Sequence, residues 1–153
     1  MEVKELGHVV LFVRDIDRSV HFYRDILGFR QIASMGNRGA LFSSGRTHHE
    51  LLLLNVGQDA APVSKGHRAG LYHIGLKIGE TDAELQDALD QLEKEAVTIV
   101  GMSDHTVTHS LYILDPDGNE VELYIDVQPA VWKDNPAAVA APTKPLYALS
   151  KQL

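Results

Sequence analysis

The chain has 153 residues, enough for one domain with a core of its own. Its net charge of −7 offers no basic stripe to meet phosphates, which argues against a nucleic-acid or anionic-membrane partner. There is no cysteine, so disulfides and thiolate metal sites are excluded, and histidine and carboxylate remain as the strong ligands. The start, MEVKELGHVV, lacks the basic-then-apolar run of a signal peptide, and no apolar run is long enough to span a bilayer. The expectation is a cytoplasmic protein.

In chain order, residues 6–13 are rich in β-branched and large apolar types and read as a strand. Asp15 or Asp17 can cap a following helix on which Ile16, Val20, Tyr23 and Leu27 fall at helical spacing, with Gly28 placed to end it. Three strand-like runs come next, 29–33, 39–43 and 48–55, with Gly36 and Gly45 in the turns between them. A polar stretch from 57 to 70 reads as a linker. The pattern then repeats: a strand at 71–78, a helix opened by a Thr81/Glu84 capping box and carrying Leu85, Leu89 and Leu92, and strands at 97–102, 107–114 and 119–126. The last two flank Asp115-Pro116-Asp117-Gly118, a hairpin turn signal. The chain from 127 onward is Pro- and Ala-rich and is expected to pack on the surface.

The two halves look like copies of one module. LGHVVLFV is echoed by LYHIGLKI, each with a histidine at its third position, and each copy carries a Glu in its last strand, Glu50 in HHELLLL and Glu122 in NEVELYI. Two βαβββ modules, about 4–56 and 70–126, then form one α+β domain over 1–126, followed by a tail over 127–153. Paired, the modules make a cup-shaped mixed sheet in which equivalent positions face one another.

A lone histidine on an apolar strand is more often structural than a ligand. Two at matched positions of a repeat carry more weight, because a buried imidazole needs partners for its nitrogens. Glu122 alternates with Val121, Leu123 and Ile125, and a carboxylate among apolar strand residues needs a cation or strong donors unless it faces solvent from an edge. His8, His73 and Glu122 are therefore the expected metal ligands. Two imidazoles and a carboxylate suit Fe(II), with Mn(II) and other divalent ions as alternatives, and leave positions open for an anionic bidentate substrate such as a catecholate and for O2.

These residues resemble the vicinal oxygen chelate superfamily, which includes glyoxalase I, fosfomycin resistance proteins, bleomycin-binding proteins and type I extradiol dioxygenases. The resemblance runs over about residues 4 to 126 and is strongest in SLYILDPDGNEVELY and in GHVVLFVRDIDRSVHFYRDILGF. It is most specific toward extradiol dioxygenases. It implies His8, His73 and Glu122 as the metal ligands, His49 in THHELLLL as the acid–base histidine, and Tyr112 and His105, in SDHTVTHSLY, as donors to the substrate oxygens. The tail VWKDNPAA also looks like those of small dioxygenase-like members. The implied reaction is Fe(II)-dependent ring cleavage of a catechol-type diol.

Glu50 opens the alternative. Glyoxalase I-like isomerases and lyases and fosfomycin-type thiol transferases use a carboxylate from this strand as a fourth ligand, with Zn(II), Ni(II) or Mn(II) as Lewis acid. Lys65, Arg68 and Lys77 could then meet the carboxylates of a glutathione-like thiol. Strand neighbours point to opposite faces, so His49 inward implies dioxygenase chemistry and Glu50 inward the alternative. A drug-sequestering binding protein is a third reading, disfavoured by the metal triad. Open sheet edges would suit a homodimer.

Overall fold

The computed structural model describes residues 1–64 and 66–146. The architecture is α+β, with two mixed sheets and their helices in two units, Met1–Ser64 and the chain from residue 65. Among the described residues no helix is long and apolar enough to cross a membrane.

In the first unit, β1 (Val9–Val13) buries Leu11 and Val13 and leaves Val10 and Phe12 exposed. Asp15 caps α1 (Ile16–Val20), its carboxylate accepting the Arg18 amide at 3.1 Å. The helix continues into a wider turn, His21–Ile26, in which the Leu27 amide reaches back five residues to the Phe22 carbonyl. That widening alters the buried face. Helical spacing points to Ile16, Val20, Tyr23 and Leu27; the buried residues are Ile16, Ser19, Phe22 and Tyr23, of which Ser19 follows Ile16 by the ordinary i+3 step, while the π-type turn brings Phe22 in and leaves Leu27 half-buried. Gly28, with φ of +76°, ends the helix.

α1 packs on β3 (Gly39–Ser43) and β4 (Leu51–Asn55), while β2 (Arg30–Ser34) forms an edge. The strand order is β1-β4-β3-β2, with β1 parallel to β4 and the other pairs antiparallel. β4 starts at Leu51, three residues later than the sequence pattern suggests. Polar side chains take over the backbone upstream of it. The Ser43 hydroxyl donates to the Thr47 carbonyl at 2.7 Å and accepts the Gly45 amide at 2.9 Å, so residues 44–49 leave the ladder as a loop, and the ladder resumes at Glu50, whose amide donates to the Phe42 carbonyl and whose carbonyl accepts the Val9 amide, each at 2.9 Å.

The second unit repeats the topology. β5 (His73–Gly79) lies parallel to β8 (Glu120–Asp126), and β7 (Thr108–Leu114) and β6 (Ile99–Asp104) follow antiparallel. β2 and β6 even share a register slip at matched places, between Gln31 and Ala33 and between Ile99 and Gly101. α2 (Asp82–Lys94) starts on the expected capping box: Thr81 accepts the Glu84 amide, and Glu84 accepts the Thr81 amide at 2.9 Å. Its Leu85 and Leu92 are buried, and the helix packs on β5, β7 and β8, where Leu111, Ile113, Val121, Leu123 and Ile125 are buried. In the β7–β8 turn, Asp115 accepts the amides of Asp117 and Asn119 at 2.9 and 2.8 Å, and Gly118 takes a φ of +89°.

Beyond Asp126 the chain forms α3 (Pro129–Asp134), a 3-10 turn (Pro136–Ala140) and a short strand β9 (Lys144–Pro145). β9 pairs with β6, so this segment extends the second sheet to β5-β8-β7-β6-β9. Residues 147–153 of the expected tail, and Lys65, lie outside the described residues.

Candidate functional site

The second sheet has one face under α2 and one face open. Alternation turns Val121, Leu123 and Ile125 toward the helix and Glu120, Glu122 and Tyr124 the other way. The β5–β8 register sets His73 against Glu120 and Gly75 against Glu122, and the β7–β8 hairpin sets Tyr112 directly opposite Glu122. The ten-residue spacing of that Tyr and Glu is therefore the arithmetic of a hairpin turning at Asp115–Gly118.

On this face His73 Nε2 stands 3.2 Å from Glu122 Oε2. His73 Nδ1 is buried without a hydrogen-bond partner, its carboxylate neighbour Glu120 Oε1 lying 3.5 Å away. Gly75 makes space for the pair: a Cβ there would come within 3.3 Å of Glu122 Oε2 and 3.5 Å of the Tyr124 ring. The Tyr112 hydroxyl donates to Glu122 Oε1 at 3.1 Å and lies 2.7 Å from His105 Nε2. His105 sits in the β6–β7 turn, where its amide donates to the Thr108 carbonyl, and its Nδ1 is 3.2 Å from Thr143 Oγ1. Burial, and then the Glu122 carboxylate, push the Tyr112 hydroxyl well above the usual tyrosine range, which keeps it a proton donor at neutral pH. An open cleft of about 420 Å³ runs past these groups, with Val107, Tyr124, Trp132 and Val139 supplying its less polar walls.

In the first unit His8 immediately precedes β1 and is exposed. Its ring centroid is 4.5 Å from that of His49, and His49 Nδ1 is 2.6 Å from His48 Nδ1. Burial, with the charges of His8 and His48 behind it, lowers the His49 pKa and favours the neutral imidazole. Glu50 is held differently. Its Oε2 accepts the Ser44 amide and hydroxyl, both at 2.6 Å, and the Ser43 hydroxyl at 3.3 Å, while Arg46 Nε reaches Oε1 at 3.0 Å. Arg46 is anchored in turn on the carbonyls of Leu6 and Gly7, each at 3.1 Å. Burial would raise the Glu50 pKa, but the Ser44 and Arg46 contacts outweigh it and hold the carboxyl below its ordinary value. The alternation expected to choose between His49 and Glu50 does not reach His49, which lies in the loop before β4, whereas Glu50 is bonded through its backbone to Phe42 and Val9.

The expected residues thus fall into two sets. His73, Glu122, Tyr112 and His105 are brought together in the second unit, and His8, His49 and Glu50 belong to the first. Among the described residues no group of three or more His, Cys, Asp or Glu side chains is arranged to hold a metal ion. The open face of the second sheet supplies an imidazole and a carboxylate converging within 3.2 Å, with the other His73 nitrogen lacking a hydrogen bond, a donor pair suited to a divalent ion with N and O ligands. Lys77, one of the cations considered for a peptide thiol, is engaged by Asp126 at 2.7 Å and Glu80 at 2.9 Å.

Four residues of this face went unread in the sequence. Glu120 and Gly75 each stand two positions from an expected ligand, so strand periodicity could have found them. Thr143 carries no local signal, because it arrives by the long-range pairing of β9 with β6, and Trp132, on α3, stands in the VWKDNPAA run, whose resemblance did not place it at the cleft.

Residues 5–123 match the family model described as the Glyoxalase/Bleomycin resistance protein/Dioxygenase superfamily. The chain is 31% identical over 132 residues to catechol-2,3-dioxygenase of Bacillus subtilis, covering 86% of this chain and 45% of the relative, so it spans about half of that protein's length. It is 29% identical over 132 residues to metallothiol transferase FosB of Staphylococcus epidermidis, covering 81% of this chain and 83% of that one. Among solved structures, a glyoxalase/dioxygenase from Nostoc punctiforme superposes with a TM-score of 0.69 at 20% identity, covering 80% of this chain and 91% of the other.

Proposed function

Since the chain belongs to the glyoxalase/bleomycin resistance protein/dioxygenase (vicinal oxygen chelate) superfamily, we propose that it cleaves the ring of a catechol-type aromatic diol with dioxygen, using Fe(II). The observation that carries this reading is the Tyr112 hydroxyl held between His105 and Glu122, beside His73, along a cleft with an aromatic wall. In this reading His73 and Glu122, with His8 as the third ligand, hold the ion. When bound, it supplies a Lewis acid for the diol oxygens and a redox partner for dioxygen.

The protein's own groups do the rest. Tyr112 stays protonated and donates to a substrate oxygen, and His105 orients it. His49, favoured as the neutral imidazole, accepts a proton from the diol and can return it later in the cycle. Trp132 and Val139 present apolar surface to the ring and shield it from water. Similarity to a catechol dioxygenase supports the substrate class. The engagement of Glu50 by two serines and an arginine weighs against a fourth-ligand role and so against isomerase, lyase or thiol-transferase chemistry.

The test is to load the protein anaerobically with Fe(II), add a panel of catechols, admit oxygen and follow visible absorbance. A coloured ring-cleavage product is expected. Silence toward every diol, together with activity on a hemithioacetal or a thiol acceptor under Ni(II), Zn(II) or Mn(II), would overturn the proposal. His49→Ala should slow turnover by about 10²-fold or more, the usual contribution of a general acid–base group, at unchanged metal content.

A further inference from the structure

The cleft on the second sheet has a far end that the proposed reaction leaves unused. β8 lays Glu122, Tyr124 and Asp126 along its open face, and all three line the cleft. Asp126 stands four residues from Glu122, about 13 Å along the strand. Thr108 is its direct partner on β7, and Lys77, opposite Tyr124 on β5, reaches it from the other side. A single aromatic ring held at the His73 and Glu122 end is long enough, with a short substituent arm, to bring the end of that arm to Asp126.

The charges at that end do not cancel. Asp126 Oδ2 holds the Lys77 ammonium at 2.7 Å, and the same ammonium lies 2.9 Å from Glu80 Oε1. One cation thus serves two carboxylates, and one negative charge is left over. Asp126 lines the cleft and Lys77 does not. Lys133, whose ammonium lies 5.8 Å from the centroid of the Trp132 ring, is also absent from the lining. Thr108 and Tyr124, beside Asp126, bring hydroxyls and no cation. The Asp126 side chain is 26% exposed, so water and salt screen its charge only in part.

We propose that Asp126 selects substrates by charge: the cleft admits a diol whose ring substituent is neutral or ends in an ammonium, and rejects one whose substituent ends in a carboxylate. That the bound molecule is a diol rests on the dioxygenase reading above. A carboxylate arm meets the uncompensated charge of Asp126, and taking Lys77 for itself would leave two carboxylates side by side on one cation. An ammonium arm shares the Asp126 carboxylate with Lys77, which Glu80 also compensates. With Asp126 made neutral, Lys77 keeps only the exposed Glu80, and the preference turns round.

The experiment titrates the Fe(II)-loaded full chain under argon, by calorimetry, with catechols carrying an ethyl, an aminoethyl or a carboxymethyl arm, and then measures ring cleavage of each in air. The carboxymethyl compound should bind about 5- to 30-fold more weakly than the ethyl one, the scale of one unit charge across a partly solvated cleft, and the aminoethyl compound at least as tightly. The gap should close toward about 1 M salt, where the screening length falls to about 3 Å. Asp126→Glu should retain the gap, Lys77→Met should widen it, and Asp126→Asn should abolish or invert it. A carboxymethyl compound that binds as well as the ethyl one, or a gap that salt and Asp126→Asn both leave intact, overturns the proposal, the second because it marks a steric cause. The expected ratios without ring cleavage of any compound would uphold Asp126 as the selector and overturn the dioxygenase reading. Cleavage of all three alike would do the reverse, and binding of none would overturn both.

Discussion

Glu50 and His49 are adjacent residues with opposite fates. One carboxylate is enclosed by its own loop; one imidazole is left beside His8 with its neutral form favoured. The Glu50 contacts lower its pKa on folding, so their contribution is complete above the ordinary carboxylate range and is lost as pH falls through the lower folded value. Glu50→Gln should therefore destabilise the protein at neutral pH by about 1 to 2 kcal/mol, and the deficit should shrink as acid protonates the wild-type carboxyl. Denaturant melts at pH 7 and pH 3.5 check this. Metal content should stay the same in the variant, whereas a fourth ligand would take metal with it. Sequence could not have separated these neighbours. Its argument required a strand through 48–50, but the ladder resumes only at Glu50, on Phe42 and Val9, after Ser43 has drawn the preceding backbone into side-chain hydrogen bonds. Tyr112 and Glu122 were within its reach, because an Asp-Pro-Asp-Gly turn leaves a hairpin one natural register.

Among the elements, α2 follows its sequence signals closely and α1 does not. Thr81 and Glu84 form both halves of a capping box, and Leu85 and Leu92 go where the 3.6-residue period sends them. Thr81→Ala should cost about 1 kcal/mol, read as a lowered denaturant midpoint at unchanged slope. In α1 the helical period fails after Val20, since the turn that follows holds an extra residue, buries Phe22 beside Tyr23 and leaves Leu27 half-buried. Nothing local in HFYRDI announces that widening. The sheet of the first unit has a tighter constraint at Gly39, where a Cβ would run into the Leu53 carbonyl oxygen on β4 and the Met35 methyl at 2.7 Å. Gly39→Ala should cost more than the cap does, about 1 to 3 kcal/mol, because backbone on the neighbouring strand must shift to admit it.

At the scale of the whole molecule, one βαβββ plan is written twice, down to matching register slips in β2 and β6. The repeat was readable from LGHVVLFV and LYHIGLKI, since a strand with histidine at a fixed offset is a distinctive pattern. The segment after Asp126 was not, as Pro- and Ala-rich composition says little about where a chain docks. That segment gives the second unit an extra strand and lines its cleft with Trp132 and Val139. Substrate choice should respond to it: Trp132→Ala is expected to raise KM about 3- to 10-fold for diols bearing an apolar substituent and to leave unsubstituted catechol nearly unchanged, as a lost aromatic contact would. Trp132 is also the chain's sole tryptophan, and it is 40% exposed at the cleft. The protein therefore carries its own optical reporter: a diol entering the cleft should quench or shift indole emission, so affinities can be titrated under argon, before any oxygen is admitted and whichever ion is present.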